Sequence, residues 1–232
     1  MKYFFLSFLG FILMSNASLA QDNSPIVLEL FTSQSCSSCP PADEILGELA
    51  EENDNIIALS CHVTYWNHLH WKDTLSQEFC TERQRSYARS FNSKRVYTPQ
   101  IVINGQHEMV GSRGRSITKA INKEQGKLKT IDLEIQNKQL IIRLPETPGN
   151  DSYALTLLTY GDDHTQNIPS GENRGRTISY TNPVSNIKSL GTWDGTGKTM
   201  DIDISDLKNV SGYVVLAQKN GVTGHIFAAG KS

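Results

Sequence analysis

The apolar residues of this chain change their texture near Lys129. Before it, short apolar runs alternate with segments of helical spacing; after it, turn-separated strand patterns take over. Residues 26–31 and 56–61 are short apolar runs of the kind that form buried strands. Between them, Ile45, Leu46, Leu49 and Ala50 recur at i, i+3 and i+4, which predicts a helix over 42–51 with one buried face. This βαβ unit predicts two parallel strands with a right-handed crossover. Leu75, Phe79, Tyr87 and Phe91 then fall on one face of a second helix, over 75–91. Residues 98–103 read as a third strand, Asn104-Gly105 as a hairpin turn and 107–110 as a fourth strand. A last helix over 116–128 turns Ile117, Ala120, Ile121 and Leu128 inward.

From Thr130 onward, strand patterns occur at 131–135, 140–144, 153–160, 177–182, 200–204, 213–218 and 225–229, separated by Gly, Pro, Asn and Asp clusters. Such short strands in about 100 residues predict an antiparallel β-sandwich. That half shows no nucleophile, paired carboxylate or phosphate loop. Residues 171–176, with Arg174 and Arg176, read as a hairpin tip or a contact loop. The half is expected to orient a partner, to dimerise or to shield a site in the first half. The expected division is residues 1–20, 21–129 and 130–232.

Residues 1–20 carry Lys2, an apolar stretch and Ser18-Leu19-Ala20, the pattern of a secretory signal peptide cleaved after Ala20. No cysteine stands at the cleavage point, so no lipid anchor is expected, and no later stretch is long enough for a membrane span. The mature protein is therefore expected to be exported, periplasmic or secreted, where disulfides persist. The full chain has a formal charge of -2, and loss of Lys2 takes it to -3. Such a mildly acidic protein has no electrostatic case for binding nucleic acid or anionic lipid.

Export gives the four cysteines their meaning. Cys36-Ser37-Ser38-Cys39 lies between the first predicted strand and the first predicted helix, the layout of thiol–disulfide exchange. A helix N-terminus favours a thiolate, which makes Cys36 the expected nucleophile and Cys39 the resolving thiol. The rival readings are a structural disulfide, or half a metal site completed by Cys61 and Cys80. Ser37-Ser38 leaves the redox direction open.

The order β-α-β-α-β-β-α, with C-x-x-C after the first strand and Thr98-Pro99 before the third, resembles the thioredoxin core. The resemblance implies an α/β thioredoxin-like domain in which Pro99 is a cis-proline facing the cysteines and shapes a groove for a substrate strand. More narrowly, residues 29–43, His62-Val63-Thr64-Tyr65-Trp66, Trp71-Lys72-Asp73, Tyr97-Thr98-Pro99-Gln100 and Gly171-Glu172-Asn173-Arg174-Gly175-Arg176 resemble the signature of a secreted, thioredoxin-like bacterial family catalogued as a domain of unknown function. That family carries an aromatic where Cys61 stands, and Cys80 is not part of its signature.

Several side chains then acquire expected roles. Glu29, alone in an apolar strand, resembles the buried acid that relays a proton to the resolving cysteine; a paired structural charge is the alternative. Residues 62–73 hold His62, His68, His70, Trp66 and Trp71 at the C-x-x-C edge of the sheet. They form either a peptide-contacting wall, with Thr98 and Trp66 touching substrate and His62 tuning a thiolate, or simple packing. Cys61 and Cys80 are expected to form a disulfide clipping this loop, worth on the order of 3 kcal/mol; a second redox pair is the alternative. Arg83, Arg85, Arg89, Lys94 and Arg95 read as a solvated face. The expected activity is exchange with protein thiols or disulfides and with a redox partner protein, needing no cofactor. A copper or other soft-metal delivery protein using Cys36, Cys39 and His62, or an interaction module with an inert disulfide, are the alternatives.

Overall fold

The computed structural model describes residues 23–149 and 151–232; the expected signal peptide lies outside them. The chain is mixed α/β with strands dominant. Its first sheet has the order β2-β1-β3-β4. β1 (Ile26–Thr32) and β2 (Ile56–His62) are parallel and joined through α1 (Pro40–Glu52). β3 (Gln100–Ile103) and β4 (His107–Val110) form an antiparallel hairpin across Asn104 and Gly105, both with positive φ as the turn requires. α2 (Glu78–Ser90) and α3 (Gly114–Glu124) complete this half. Both helices are shorter than their apolar spacing predicts. Residues 75–77 belong instead to a turn in which Asp73 Oδ1 accepts the Leu75 amide and the Asp73 carbonyl accepts the Ser76 amide. Leu128 is buried beyond the end of α3.

Strand parity divides the first sheet between two cores. Ile26, Leu28, Leu30, Ile56 and Ala58 pack with Ala42 and Leu46 of α1 and Ile117 and Ile121 of α3. The alternate residues, Val27, Phe31, Ile57, Leu59 and Cys61, pack with Cys80 and Tyr87 of α2 and with residues of the second half. Burial on both faces is why these strands read as continuous apolar runs.

The second half begins with β5 (Lys129–Thr130), β6 (Asp132–Gln136), β7 (Gln139–Leu144), β8 (Tyr153–Tyr160) and β9 (His164–Asn167). It continues through β10 (Thr177–Tyr180), β11 (Val184–Trp193), β12 (Lys198–Asp203), β13 (Gly212–Lys219) and β14 (Ile226–Lys231). β11-β8-β13-β14-β5 form one sheet, β12-β7-β6 a second and β10-β9 a separate ribbon. Parity again divides the burial. Leu155, Leu157, Val215 and Ala217 face Leu140, Ile142 and Leu144 of the smaller sheet, whereas Leu158, Val214 and Leu216 face Val27 and Phe31 of the first half. The large sheet is thus a shared middle layer.

β5, β9 and β11 were not among the predicted strands. β11 is the instructive case, because its register shifts between Val184 and Asn186 and again between Ser189 and Gly191. Those irregularities break the period of two on which strand recognition rests. The outer edge of β2 is covered by Asn182 and Pro183, the Ser60 amide donating to the Asn182 carbonyl. No helix among the described residues is long and apolar enough to cross a membrane.

Candidate functional site

β1 delivers Thr32 to the edge of the sheet, and the turn that follows leads through Cys36 to Cys39, the N-cap of α1. Pro40 and Pro41 fill the first helical positions, where the missing N–H groups would have had no intrahelical acceptor. The Ala42 and Asp43 amides are both spent on the Cys39 carbonyl. Cys36 and Cys39 are joined as a disulfide, as are Cys61 and Cys80. The polar side chain beside Cys36 Sγ is Ser38, with Oγ at 3.4 Å.

The expected groove residues lie beside this turn. Thr98-Pro99 is a cis peptide, and a Cβ placed on Gly111 would meet both Pro99 Cβ and Ala42 Cβ, so the proline loop abuts the first turn of α1. Trp66 Nε1 donates to Thr98 Oγ1 at 2.7 Å, tying the aromatic loop to the proline loop. His68 and His70 are exposed.

His62 behaves differently from its neighbours. It is 1% exposed, and its Nδ1 lies 2.7 Å from Asp73 Oδ2. That oxygen also accepts the Gln34 amide at 2.8 Å. Burial pushes the Asp73 carboxyl up, but the His62 ring and the Gln34 and Leu75 amides outweigh it and leave the pKa lowered. His62 therefore anchors the 62–73 loop through Asp73 rather than standing free beside a thiolate.

Glu29 is corrected by strand parity. It lies on the face shared with Val27 and Phe31, away from the face that carries α1 and Cys39. There its carboxylate is held by Arg83 Nε at 2.5 Å, Arg83 Nη2 at 2.9 Å and Tyr87 Oη at 2.5 Å. Arg83 reaches on to Gln218 and the Val222 carbonyl, so the pair joins α2 to the second half. Burial alone would lower the Arg83 pKa; Glu29 reverses this and raises it. Arg83 is thus buried, not part of a solvated face.

The buried acid on the cysteine side is Asp43, which the sequence reading passed over. Burial, with a smaller push from Asp73 and a smaller opposing pull from the Thr32 hydroxyl, raises its pKa well above the usual carboxylate range. A signal for it existed: residues 39, 42, 43 and 46 follow i, i+3, i+4 and i+7, so Asp43 sits on the apolar stripe of its helix.

The second half closes over the site. Residues 168–176, between β9 and β10, form a strap across the C-x-x-C turn. Asn173 Nδ2 donates to the carbonyls of Gln34 and Cys36, each at 2.9 Å, and Glu172 Oε2 accepts the Ser37 amide. Ser170 Oγ donates to the His70 carbonyl. Gly171 has φ +79° and runs so close to Trp71 that an added Cβ would lie 3.2 Å from the Trp71 Cβ. Under the strap, Cys36 is only 3% exposed. Tyr180, at the end of the same ribbon, packs edge-to-face on His62 with ring centroids 4.7 Å apart. An open cleft beside this region is lined by Pro40, Pro41 and Glu44 on one side and by Arg176, Thr177 and Ile178 on the other.

No three His, Cys, Asp or Glu side chains group as a cation site among the described residues.

A crystal structure of a protein from Agrobacterium tumefaciens is similar at 31% sequence identity, with a TM-score of 0.79 over 92% of this chain and 95% of that one. HBP35 of Porphyromonas gingivalis shares the fold at 13% identity, with a TM-score of 0.56 over 90% of this chain and 74% of that one. No curated protein matches the sequence. Residues 27–218 match the model of the family described as a protein of unknown function, DUF1223, and the chain belongs to that family.

Proposed function

We propose that this protein is an exported thiol–disulfide oxidoreductase that exchanges disulfides with protein thiols through Cys36 and Cys39. Its first half, 21–129, is a thioredoxin-like domain, and its second half, 130–232, is a β-sandwich-like domain that shields the site. The observation that carries this reading is the Cys36–Cys39 bond closed within the C-x-x-C at the start of α1, while Cys61 and Cys80 pair with each other. The sheet order β2-β1-β3-β4, with α1 leading away from the disulfide, supports the thioredoxin-like assignment.

In the exchange, a substrate thiolate attacks Cys36 Sγ and forms a mixed disulfide as Cys39 leaves; the reverse sequence releases the substrate. Trp66, Thr98 and Pro99 supply the peptide-contacting wall. His62 holds the aromatic loop against the site through Asp73.

The test is a redox titration of the mature protein in glutathione buffers, with the state of each cysteine read by alkylation and mass mapping. An exchanging pair equilibrates in the range of about -120 to -270 mV. A potential below about -300 mV would mark a structural bond and sink the oxidoreductase reading.

A further inference from the structure

The β9–β10 ribbon has an unpaired edge beside the disulfide. Among the described residues, β10 pairs only with β9. The Ile168 amide donates to the Arg176 carbonyl, and hydrogen-bonded pairs alternate along an antiparallel ladder. Ile178 and Tyr180 therefore turn their amides and carbonyls toward β9, while those of Thr177 and Ser179 point to the outer edge. No hydrogen bond among the described residues takes these outer groups. Both residues are exposed.

Other outer edges are guarded. Asn182 and Pro183 cover β2, two register shifts break β11, and β12 carries Lys198, Asp201 and Asp203. β10 reads Thr-Ile-Ser-Tyr, with no charge, proline or register shift inside the strand. An edge left plain in this way is a template for an added strand.

There is room for that strand. A cleft of about 580 Å³ separates β10 from α1, lined by Pro40, Pro41 and Glu44 on the helix and by residues 176–179 on the ribbon. It closes where Gly47 meets Thr181: a Cβ on the glycine would lie 3.2 Å from the Thr181 hydroxyl oxygen. Its other end adjoins Cys39, which directly precedes Pro40, and Arg176, where the strap ends. The cleft thus leads to the disulfide. Its helix wall is acidic, because α1 carries Glu44, Glu48, Glu51 and Glu52 and no lysine or arginine; the ribbon wall contributes Arg176 at the strap end. Glu44 is exposed and lies five residues after Cys39. That spacing is about 7.5 Å of helix rise, which an extended chain covers in two or three residues at about 3.3 Å each.

We propose, resting on the exchange reading above, that the outer edge of β10 docks the protein substrate as an added strand. The substrate segment is extended, pairs its backbone with Thr177 and Ser179, and carries a basic side chain two or three residues from its cysteine, beside Glu44. The backbone pairing supplies affinity for any strand-like segment, and the acidic helix wall selects among them. A segment anchored there holds its cysteine next to the strap while Cys36 is uncovered. The class of substrate follows: proteins whose reactive cysteine lies in a segment not yet paired into a sheet of its own.

The test uses the oxidised mature protein and the reduced peptide acetyl-Thr-Val-Cys-Thr-Lys-Val-amide. Opening of Cys36–Cys39 is followed by alkylation and mass mapping, and rates are divided by thiolate concentration. The parent peptide should react faster than the same peptide with N-methylated backbone amides by on the order of tenfold. Glutamate in place of its lysine should slow it by about threefold at low salt, and Glu44→Lys should reverse that preference. In Cys39→Ser the peptide stays attached to Cys36, and amide exchange at Thr177 and Ser179 should slow in that adduct. Equal rates for the parent and N-methylated peptides would overturn the inference while leaving exchange intact. A lysine preference that survives Glu44→Lys would overturn the part assigned to the helix wall. A dimer in sedimentation that Ser179→Pro dissolves would give the edge to a second copy of this chain instead. A disulfide that neither the peptides nor dithiothreitol opens would overturn the exchange reading together with this one.

Discussion

The side-chain amide of Asn173 donates to the main-chain carbonyl of Cys36, 137 residues away in sequence, at 2.9 Å. The same amide nitrogen holds the Gln34 carbonyl, and Asn173 is itself 1% exposed. A single side chain from the second half thus fixes the turn that carries the candidate nucleophile.

Asn173→Ala leaves two backbone carbonyls without their donor, a loss of about 1–3 kcal/mol for a buried group. Because the loss falls on the closed strap, the open population should rise by about tenfold to a hundredfold. In the reduced protein, iodoacetamide should label Cys36 correspondingly faster, and hydrogen exchange at residues 34–38 should accelerate. Labelling at the native rate would show that the strap does not control access to Cys36.

The strap also shows where sequence reading stops. The first sheet and its helices were legible because each strand or helix face has a regular period, and that period registers burial directly. Arg83 and Asn173 were not, because their partners lie 54 and 137 residues away and no local pattern encodes such contacts. Glu29 illustrates the opposite failure. Its local setting identified a buried acid correctly, but parity relative to α1, which decides its chemistry, needs the three-dimensional arrangement of the helices. Asp43 was legible in principle, since it lies on an apolar stripe one turn after Cys39.

The Glu29–Arg83 pair sits at the junction of α2, β1 and β13, with side chains at most 4% exposed. Arg83→Met strands the Glu29 carboxylate and should cost about 3–5 kcal/mol, measured by urea unfolding. Replacing both, as Glu29→Leu with Arg83→Met, should recover part of that loss, because two apolar side chains need no compensation. The opening of Cys36–Cys39 should keep its native pH profile in Glu29→Gln, since Glu29 faces away from α1. An altered profile in that variant would return Glu29 to proton transfer.

Cys61 and Cys80 join β2 to α2 across a sequence separation of 19, inside the core that both halves share. By the chain-entropy estimate, closing such a loop contributes about 3 kcal/mol. The double variant Cys61→Ala/Cys80→Ala should lose about that much in urea unfolding, while thiol trapping still finds Cys36 and Cys39 exchanging. Loss of exchange in a variant that remains folded would instead make the two disulfides a relay.

Asp43 and Asp73 give stability opposite dependences on pH. The Asp43 pKa is raised by burial, so above the ordinary aspartate value of about 3.9 the folded protein binds more protons at this site than the unfolded chain does. Its contribution to stability therefore falls as pH rises through the window between that value and its native pKa, by up to about 1.4 kcal/mol per pH unit. Below the window both states are protonated and nothing is lost; above it both are ionised and the penalty is constant. The Asp73 pKa is lowered, so its stabilisation is present above the ordinary value and is lost as pH falls through its native pKa. Asp43→Asn removes the first dependence and leaves the second. In urea unfolding at a series of pH values, the variant should match the native protein in acid and become progressively more stable than it toward neutrality. Parallel stability curves for the two proteins would mean that Asp43 ionises in the folded state as readily as in the unfolded one.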